Sequence, residues 1–358
     1  MINRDRVVKT FCDLVQIDSP SGEEEAMTVE LERRLAALDL TTSRDDYGNL
    51  FANHGQPATL LLSAHMDTVE PGRGIKPRVE GDRIASDGTT IVGGDCKAGV
   101  AAILEALESV KEDGTSHIDF EACFTRGEET GLLGARNLDF SKLTAKEAIV
   151  FDGEGPPSQI TSTSPTYIGF DIEITGRASH AGVDPERGIS AIRIAAEIIT
   201  RLPQGRLDGE TTFNVGTVEG GTVRNAVAEK TLVRGEFRSS NLETLDGLRL
   251  QVAEALDEVR PMFPEAVIED HLDMEFETYT LSDDEPAVQR IKRAIRALGL
   301  EPTKKSSGGG TDGNIFRLNG VNAVVVGMAD HNMHSVREYV TIPDLVDAAH
   351  LCETMLMG

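Results

Sequence analysis

An α/β fold with helices on both faces of its sheet is the architecture this sequence predicts, and three observations predict it. Continuous apolar runs such as Thr59-Leu60-Leu61-Leu62-Ser63 read as strands covered on both faces. Those runs alternate with helical patterns, as at Gly99–Lys111, Pro286–Leu298 and Ile342–Met357. The middle of the chain changes style, from continuous runs to strict alternation in Tyr167-Ile168-Gly169-Phe170-Asp171-Ile172-Glu173-Ile174.

Taken in order, the chain opens with a helical pattern at Arg4–Ile17 that Ser19-Pro20-Ser21-Gly22 breaks. Ser21 and Glu24 have the spacing of a capping box for a second helix running to about Leu40. Strands follow near Asn49–Asn53 and Thr59–Ser63, then a polar, glycine-rich excursion from Pro71 to Gly94. A helix after Asp95 reaches about Lys111, the strand Ile118–Phe124 delivers Glu128 and Glu129, a helix begins near Leu132, and the strand Ala148–Phe151 delivers Asp152. From residue 165 to 277 the order is strand, helix (Gly188–Leu202), two strands (Thr212–Val218 and Ala226–Phe237), helix (Leu242–Val259), strand (Ala266–Phe276). That is the βαββαβ, ferredoxin-like arrangement, inserted into a first domain formed by residues 1–164 and 278–358. The first style then resumes, with helices at Pro286–Leu298, Asp312–Leu318 and Ile342–Met357 and a strand at Ala323–Val326.

The 358 residues carry 60 Asp and Glu against 35 Lys and Arg, a formal charge of −25. So acidic a surface repels phosphate backbones and argues against nucleic acid as a partner. No run has transmembrane length and no signal-type apolar core opens the sequence, so the expectation is a cytoplasmic protein with no membrane partner. The cysteines, Cys12, Cys96, Cys123 and Cys352, are scattered in apolar contexts and read as reduced, buried thiols.

The chemistry gathers around Gly93-Gly94-Asp95-Cys96-Lys97-Ala98-Gly99, whose Asp95 reads as a carboxylate bridging two metal ions. Asp95, His65-Met66-Asp67, Glu128-Glu129, Asp152 and Met333-His334-Ser335 all read as sitting just after buried strands, where open α/β sheets bind ligands. Singly, each has an ordinary explanation: a hydrogen-bonded histidine, a helix N-cap, a solvated acid pair. Together they place many carboxylates at one sheet end, where cations would offset their repulsion and desolvation. Adjacent glutamates there suit two jobs, one binding metal and one accepting a proton from an activated water. His331 competes with His334, and the Cys96 thiol is a poor match for oxygen donors.

These segments, with Gly176-Arg177-Ala178-Ser179-His180-Ala181-Gly182 and Gly309-Gly310-Thr311-Asp312-Gly313, resemble those of the M20 dinuclear metallopeptidases, and of their peptidase T branch in particular. The resemblance implies a zinc-exopeptidase-type catalytic domain with a mixed sheet, and an inserted lid and dimerisation domain. It implies that His65, Asp95 and Asp152 hold one metal and Asp95, Glu129 and His334 the other. It assigns Glu128 as general base, Asp67 as the residue orienting His65, and His180 as a contact to the substrate carbonyl. It places Arg224, Asn225, Gly310 and Thr311 at the substrate. The ions would be two divalent cations, zinc first, with manganese or cobalt as alternatives. The implied activity is aminopeptidase cleavage of short peptides through a metal-bridged water, in a chain able to form a homodimer. Two positions depart from the pattern: Cys96 stands where Asp or Asn is usual, and Gly308 where the tripeptidase loop carries arginine, so strict tripeptide specificity does not follow. The alternatives are an N-acyl amino acid deacylase or a carboxypeptidase-like enzyme on the same chemistry, and a non-catalytic metal-binding protein, against which the intact Glu128 argues.

Overall fold

The computed structural model describes all 358 residues, which fall into two compact units. The first comprises Met1–Thr163, Tyr279–Ser307 and Thr311–Gly358; the second comprises Ser164–Thr278 with Gly308–Gly310.

A nine-stranded mixed sheet forms the first unit, in the spatial order Thr41–Arg44, Leu50–His54, Phe120–Thr125, Leu60–His65, Glu147–Gly153, Asn322–Gly327, Gln159–Ser164 and Tyr279–Thr280, with Thr303–Ser306 beside Gln159–Ser164. The four strands Phe120–Thr125, Leu60–His65, Glu147–Gly153 and Asn322–Gly327 pair in parallel. They are also the strands with continuous apolar sequence, because both of their faces are covered. Leu60, Leu62, Ile149, Phe151, Val324 and Val326 enter one core, which the helices Arg4–Val15, Glu25–Ala37, Gly94–Asp113, Pro286–Ala297 and Ile342–Met357 complete. Leu61, Ala148, Val150, Ala323 and Val325 point the other way, into a smaller core with Phe51, Leu138 and Phe316. A fully buried Leu or Phe contributes about 1.5–3 kcal/mol in this way, so a one-residue register slip in these strands would exchange two cores at once. The parallel alignment also sends the carboxyl ends of all four strands to one edge of the sheet.

The second unit is a five-stranded antiparallel sheet, ordered Gly205–Arg206, Thr212–Gly220, Lys230–Ser239, Thr166–Thr175 and Val267–Phe276. The helices Ala191–Ile199 and Leu242–Val259 cover one face, where Ile168, Phe170, Ile172, Val233 and Phe237 meet Ile194, Ile198, Leu248 and Val252. Gly205–Arg206 adds a short edge strand to the four expected.

Several local expectations are corrected. Ser21 does not cap a helix: its hydroxyl donates to Asp67 Oδ2 at 2.7 Å, and the helix begins at Glu25 with no side-chain cap. That helix ends at Ala37 rather than Leu40, and the chain turns into the strand Thr41–Arg44. Asp95 does not follow a strand, since Ile91 and Val92 are buried but lie outside any strand or helix. It is not a helix N-cap either, a place taken by Gly93 in a left-handed conformation, φ 74°. The helix expected after Glu129 is a single turn, Leu133–Arg136, because Gly131 and Leu132 take positive φ before it. No helix is long and apolar enough to cross a membrane.

Candidate metal centre

Each side chain of the centre is set by what precedes it. His65 is the last residue of a strand buried along its whole length, and it is itself 1% exposed. Its Nε2 lies 3.1 Å from Asp95 Oδ1 and 3.5 Å from Asp152 Oδ1. Asp152 sits near the end of the neighbouring parallel strand, Glu147–Gly153. His334 reaches Asp95 from the other side: its Nε2 is 3.0 Å from Asp95 Oδ2 and 3.1 Å from Glu129 Oε2. One carboxylate therefore faces two histidines, each through a different oxygen.

Asp67 ties the region together. Its carboxylate lies 3.4 Å from His65 Nδ1, and its oxygens accept from the backbone N–H groups of Glu128 at 3.0 Å and Glu129 at 3.2 Å. Burial would raise this carboxyl, but His65, the Ser21 hydroxyl and the Glu128 amide hold it below the usual range. Glu24 adds a second brace, accepting from Gly127 N at 3.0 Å and pairing with Arg126 at 2.7 Å. The Gly127-Glu128-Glu129 turn is thus fixed through its backbone, which leaves both glutamate side chains free for other work.

Charge is badly unbalanced among these groups. Burial, with the Asp152 charge, pushes Glu128 well above the usual carboxylate value; burial carries Asp152 up to about 7. Contacts with Asp95 and Glu129 lift His334 to about 10. The recorded ion pairs of Asp95, Asp152 and Glu129 are all to histidine. Several buried carboxylates sharing two histidines, with no Lys or Arg among their ion pairs, are the environment a divalent cation relieves. Two clusters have their donor atoms within 4.8 Å of one another: His65, Asp95, Cys96 and Asp152; and Asp95, Glu129 and His334. Tetrahedral ligands at the usual Zn–N and Zn–O lengths are roughly 3.4 Å apart, close to the separations measured here. Glu129 Oε1 is buried with no hydrogen-bond partner, an orphaned acceptor whose lone pairs a cation would satisfy. The residues present fit a pair of metal ions.

Cys96 falls in the first cluster by position, but its thiol donates to the Phe151 carbonyl at 2.5 Å, and burial raises its pKa well above the ordinary thiol value. His331 is in neither cluster; it stacks on Tyr339 and lies 3.9 Å from Asp344. Glu128 is also in neither cluster.

The remaining sequence candidates are in neither cluster. His180, Arg224 and Asn225 are exposed on the second unit. Ala181 N donates to the Asn225 carbonyl at 3.0 Å, and His180 bridges to Ala226. Gly182 N donates to His180 Nδ1 at 3.1 Å, which places the neutral ring's proton on Nε2 and leaves that N–H as a donor. Arg224 lines a 530 Å³ cavity with Ser190, Ile192 and Gly220–Val223. Gly310 packs against Phe276, whose ring lies 2.3 Å from where a Cβ would sit. The Thr311 hydroxyl accepts from Gly313 N and its N–H donates to Asn314 Oδ1, so both serve the N-terminus of the helix Asp312–Leu318. Where arginine was expected, Gly308 instead offers its carbonyl to Arg238 at 3.1 Å.

Sequence reasoning missed Ser21, Glu24 and Asp312. Asp312 is 1% exposed, accepts from the Thr125 hydroxyl, and is pushed up to about 6 by burial, with Oδ1 unpartnered. The available signal was an acid between glycines beside an apolar helix, the same signal that marked Asp95.

Residues 61–358 match the family described as Peptidase family M20/M25/M40. The chain is 35% identical to the protein YqjE of Bacillus subtilis, itself described as uncharacterized, over 98% of this chain and 97% of that one. Among solved structures, aminopeptidase PepT from Bacillus cereus has TM-score 0.84 and 34% identity, covering 99% of this chain and 98% of that one. A tripeptidase from Staphylococcus aureus has TM-score 0.89 and 32% identity, with the same coverage. By a match over most of its length and by these full-length relatives, this chain belongs to peptidase family M20/M25/M40.

Proposed function

We propose that this chain is a two-metal exopeptidase that removes residues from the amino end of short peptides in the cytoplasm. The observation that carries the reading is Asp95, one carboxylate presented to two histidine-and-acid clusters, with Glu128 buried beside them and outside both. His65, Asp95 and Asp152 would hold one ion and Asp95, Glu129 and His334 the second, zinc being the best match to mixed His and carboxylate donors and manganese or cobalt the alternatives. When bound, such ions polarise a scissile carbonyl and acidify a water.

The chain's own residues supply the rest. Glu128 takes the proton of the attacking water and passes it to the leaving amine, a role suited to a carboxyl raised by burial. Asp67 holds His65 and the Glu128 backbone in one frame. His180 donates from Nε2 to the oxygen that becomes negative. Arg224 and Asn225 bind the substrate, and Gly310 allows the chain to pass close to Phe276. The second unit serves as lid, and the outer strand Val267–Phe276, with Val267 and Met274 exposed, pairs with a second copy to form a homodimer.

PepT and the tripeptidase favour the aminopeptidase reading. Gly308 in the place of arginine favours a broader substrate range, and with it the deacylase or carboxypeptidase-like alternative. A panel of di-, tri- and tetrapeptides, free and N-blocked, with N-acyl amino acids alongside, tests this. Release of the first residue from unblocked tripeptides is expected. Faster turnover of blocked substrates, or release from the carboxyl end, would overturn it.

A further inference from the structure

Behind Asp95 lies a contact that none of these roles uses. The segment Val92–Asp95 enters its helix irregularly: Gly93 is left-handed, and Asp95 has φ −81° and ψ 105°. Backbone of this kind loses its helical partners, so its N–H groups need others. Glu338, 1% exposed and more than two hundred residues away in sequence, provides them. Its Oε2 accepts from Val92 N at 2.6 Å and from Gly93 N at 2.7 Å, and its Oε1 lies 3.4 Å from Asp95 N. The wall behind the segment is tight: a Cβ at Gly94 would lie 2.3 Å from Asp330 Oδ1 and 2.7 Å from Val340 Cγ2. Glu338 also ends the loop that carries His334, its N–H donating to the Ser335 carbonyl at 2.9 Å. One short segment, His334–Glu338, therefore touches Asp95 twice, once at the carboxylate and once through the backbone behind it.

We infer that Glu338 is a positioning residue for Asp95: it fixes the Val92–Asp95 backbone, and with it the separation from His334, so that one carboxylate can serve both clusters. This rests on the reading of Asp95 as the shared ligand. The test is Zn²⁺ binding to metal-stripped full-length protein by calorimetry, with thermal melts of the same samples in chelator. Glu338→Ala is expected to weaken Zn²⁺ binding by about 10–100-fold, the usual loss when a group supporting a ligand is removed. Glu338→Gln keeps the volume and one acceptor oxygen, and should show a smaller loss, which keeps the test available if Glu338→Ala does not fold. Leu31→Ala, buried in the same unit away from this contact, should lower the melting temperature and leave Zn²⁺ affinity unchanged. Unchanged affinity in both Glu338 variants, or a loss matched by Leu31→Ala, overturns the positioning role alone. A wild-type chain that takes up no Zn²⁺ overturns the shared-ligand reading and this inference with it.

Discussion

In the first unit, His65, Asp67 and Asp152 lie on or just after buried parallel strands, and the Glu128-Glu129 turn is held by backbone hydrogen bonds to Asp67. In the second, His180, Arg224 and Asn225 are exposed, and His180 and Asn225 are held by backbone N–H groups of residues 181–184: Gly182 N donates to His180 Nδ1, Val183 N and Asp184 N to the His180 carbonyl, and Ala181 N to the Asn225 carbonyl. The difference teaches how each set can work. Groups that hold cations or take a proton need geometry fixed before the substrate arrives, and a covered sheet end gives them that. Groups that meet a substrate must be reachable, and exposed turns on an antiparallel sheet give them that.

The comparison breaks most sharply at Glu128. Glu128→Gln should keep both metals and lose turnover by about 10²–10⁴-fold, the range for a general base. Loss of metal in that variant, measured by elemental analysis, would show that Glu128 and Glu129 have exchanged roles. His180→Ala, from the exposed set, should lower kcat by about 10²–10³-fold with metal content and KM little changed, as for one oxyanion donor. A near-normal kcat would leave the second unit with a role in shape recognition only.

Chelation separates the units. An ion present at a hundred times its Kd stabilises the fold that binds it by about 2.7 kcal/mol. Removing it should lower the melting temperature and speed hydrogen exchange in Leu60–His65, Phe120–Thr125 and Glu147–Gly153, while Thr166–Thr175 and Lys230–Ser239 exchange as before. Equal loosening of both sheets would contradict the separation. The smallest effect comes from an acid outside the centre. Glu30, paired with Arg33 and Arg34 at 2.7 Å each, is held down at about 2 by those guanidiniums. A folded pKa below the unfolded value near 4.5 means stability present in full above that value and lost as pH falls toward 2. Glu30→Gln should therefore cost roughly 0.2–1 kcal/mol near pH 6, since solvent screens the pair, and the gap from wild type should close by about pH 2 in denaturant melts.

What was legible in the sequence divides along the same physical line. Leu60–His65 and Glu147–Gly153 announce themselves because covered strands must be apolar on both faces, and Leu242–Val259 and Ile342–Met357 because one face of each must be. Thr303–Ser306, exposed along its length, and the short strands Arg78–Glu80 and Arg83–Ala85 carry too little buried surface to mark them. At the centre, residue type and position after strands brought His65, Asp152, Glu128 and Glu129 into view. Ser21 was misread because a hydroxyl three residues before a glutamate predicts a cap, whereas the fold directs it to Asp67. Thr311, expected at the substrate, caps its own helix. The error at Ser21 arises because its partner is distant in sequence, and spacing reports only local partners.

The central claim is that Asp95 is shared between two metals while Glu128 binds neither. A crystal structure of the protein grown with Zn²⁺, with anomalous difference maps at the zinc edge, tests it most directly. The account predicts two peaks, one about 2.0–2.2 Å from donor atoms of His65, Asp95 and Asp152 and the other at that distance from Asp95, Glu129 and His334, with the Glu128 carboxylate away from both. A single peak, or one ligated by Glu128 in place of Glu129, would contradict it.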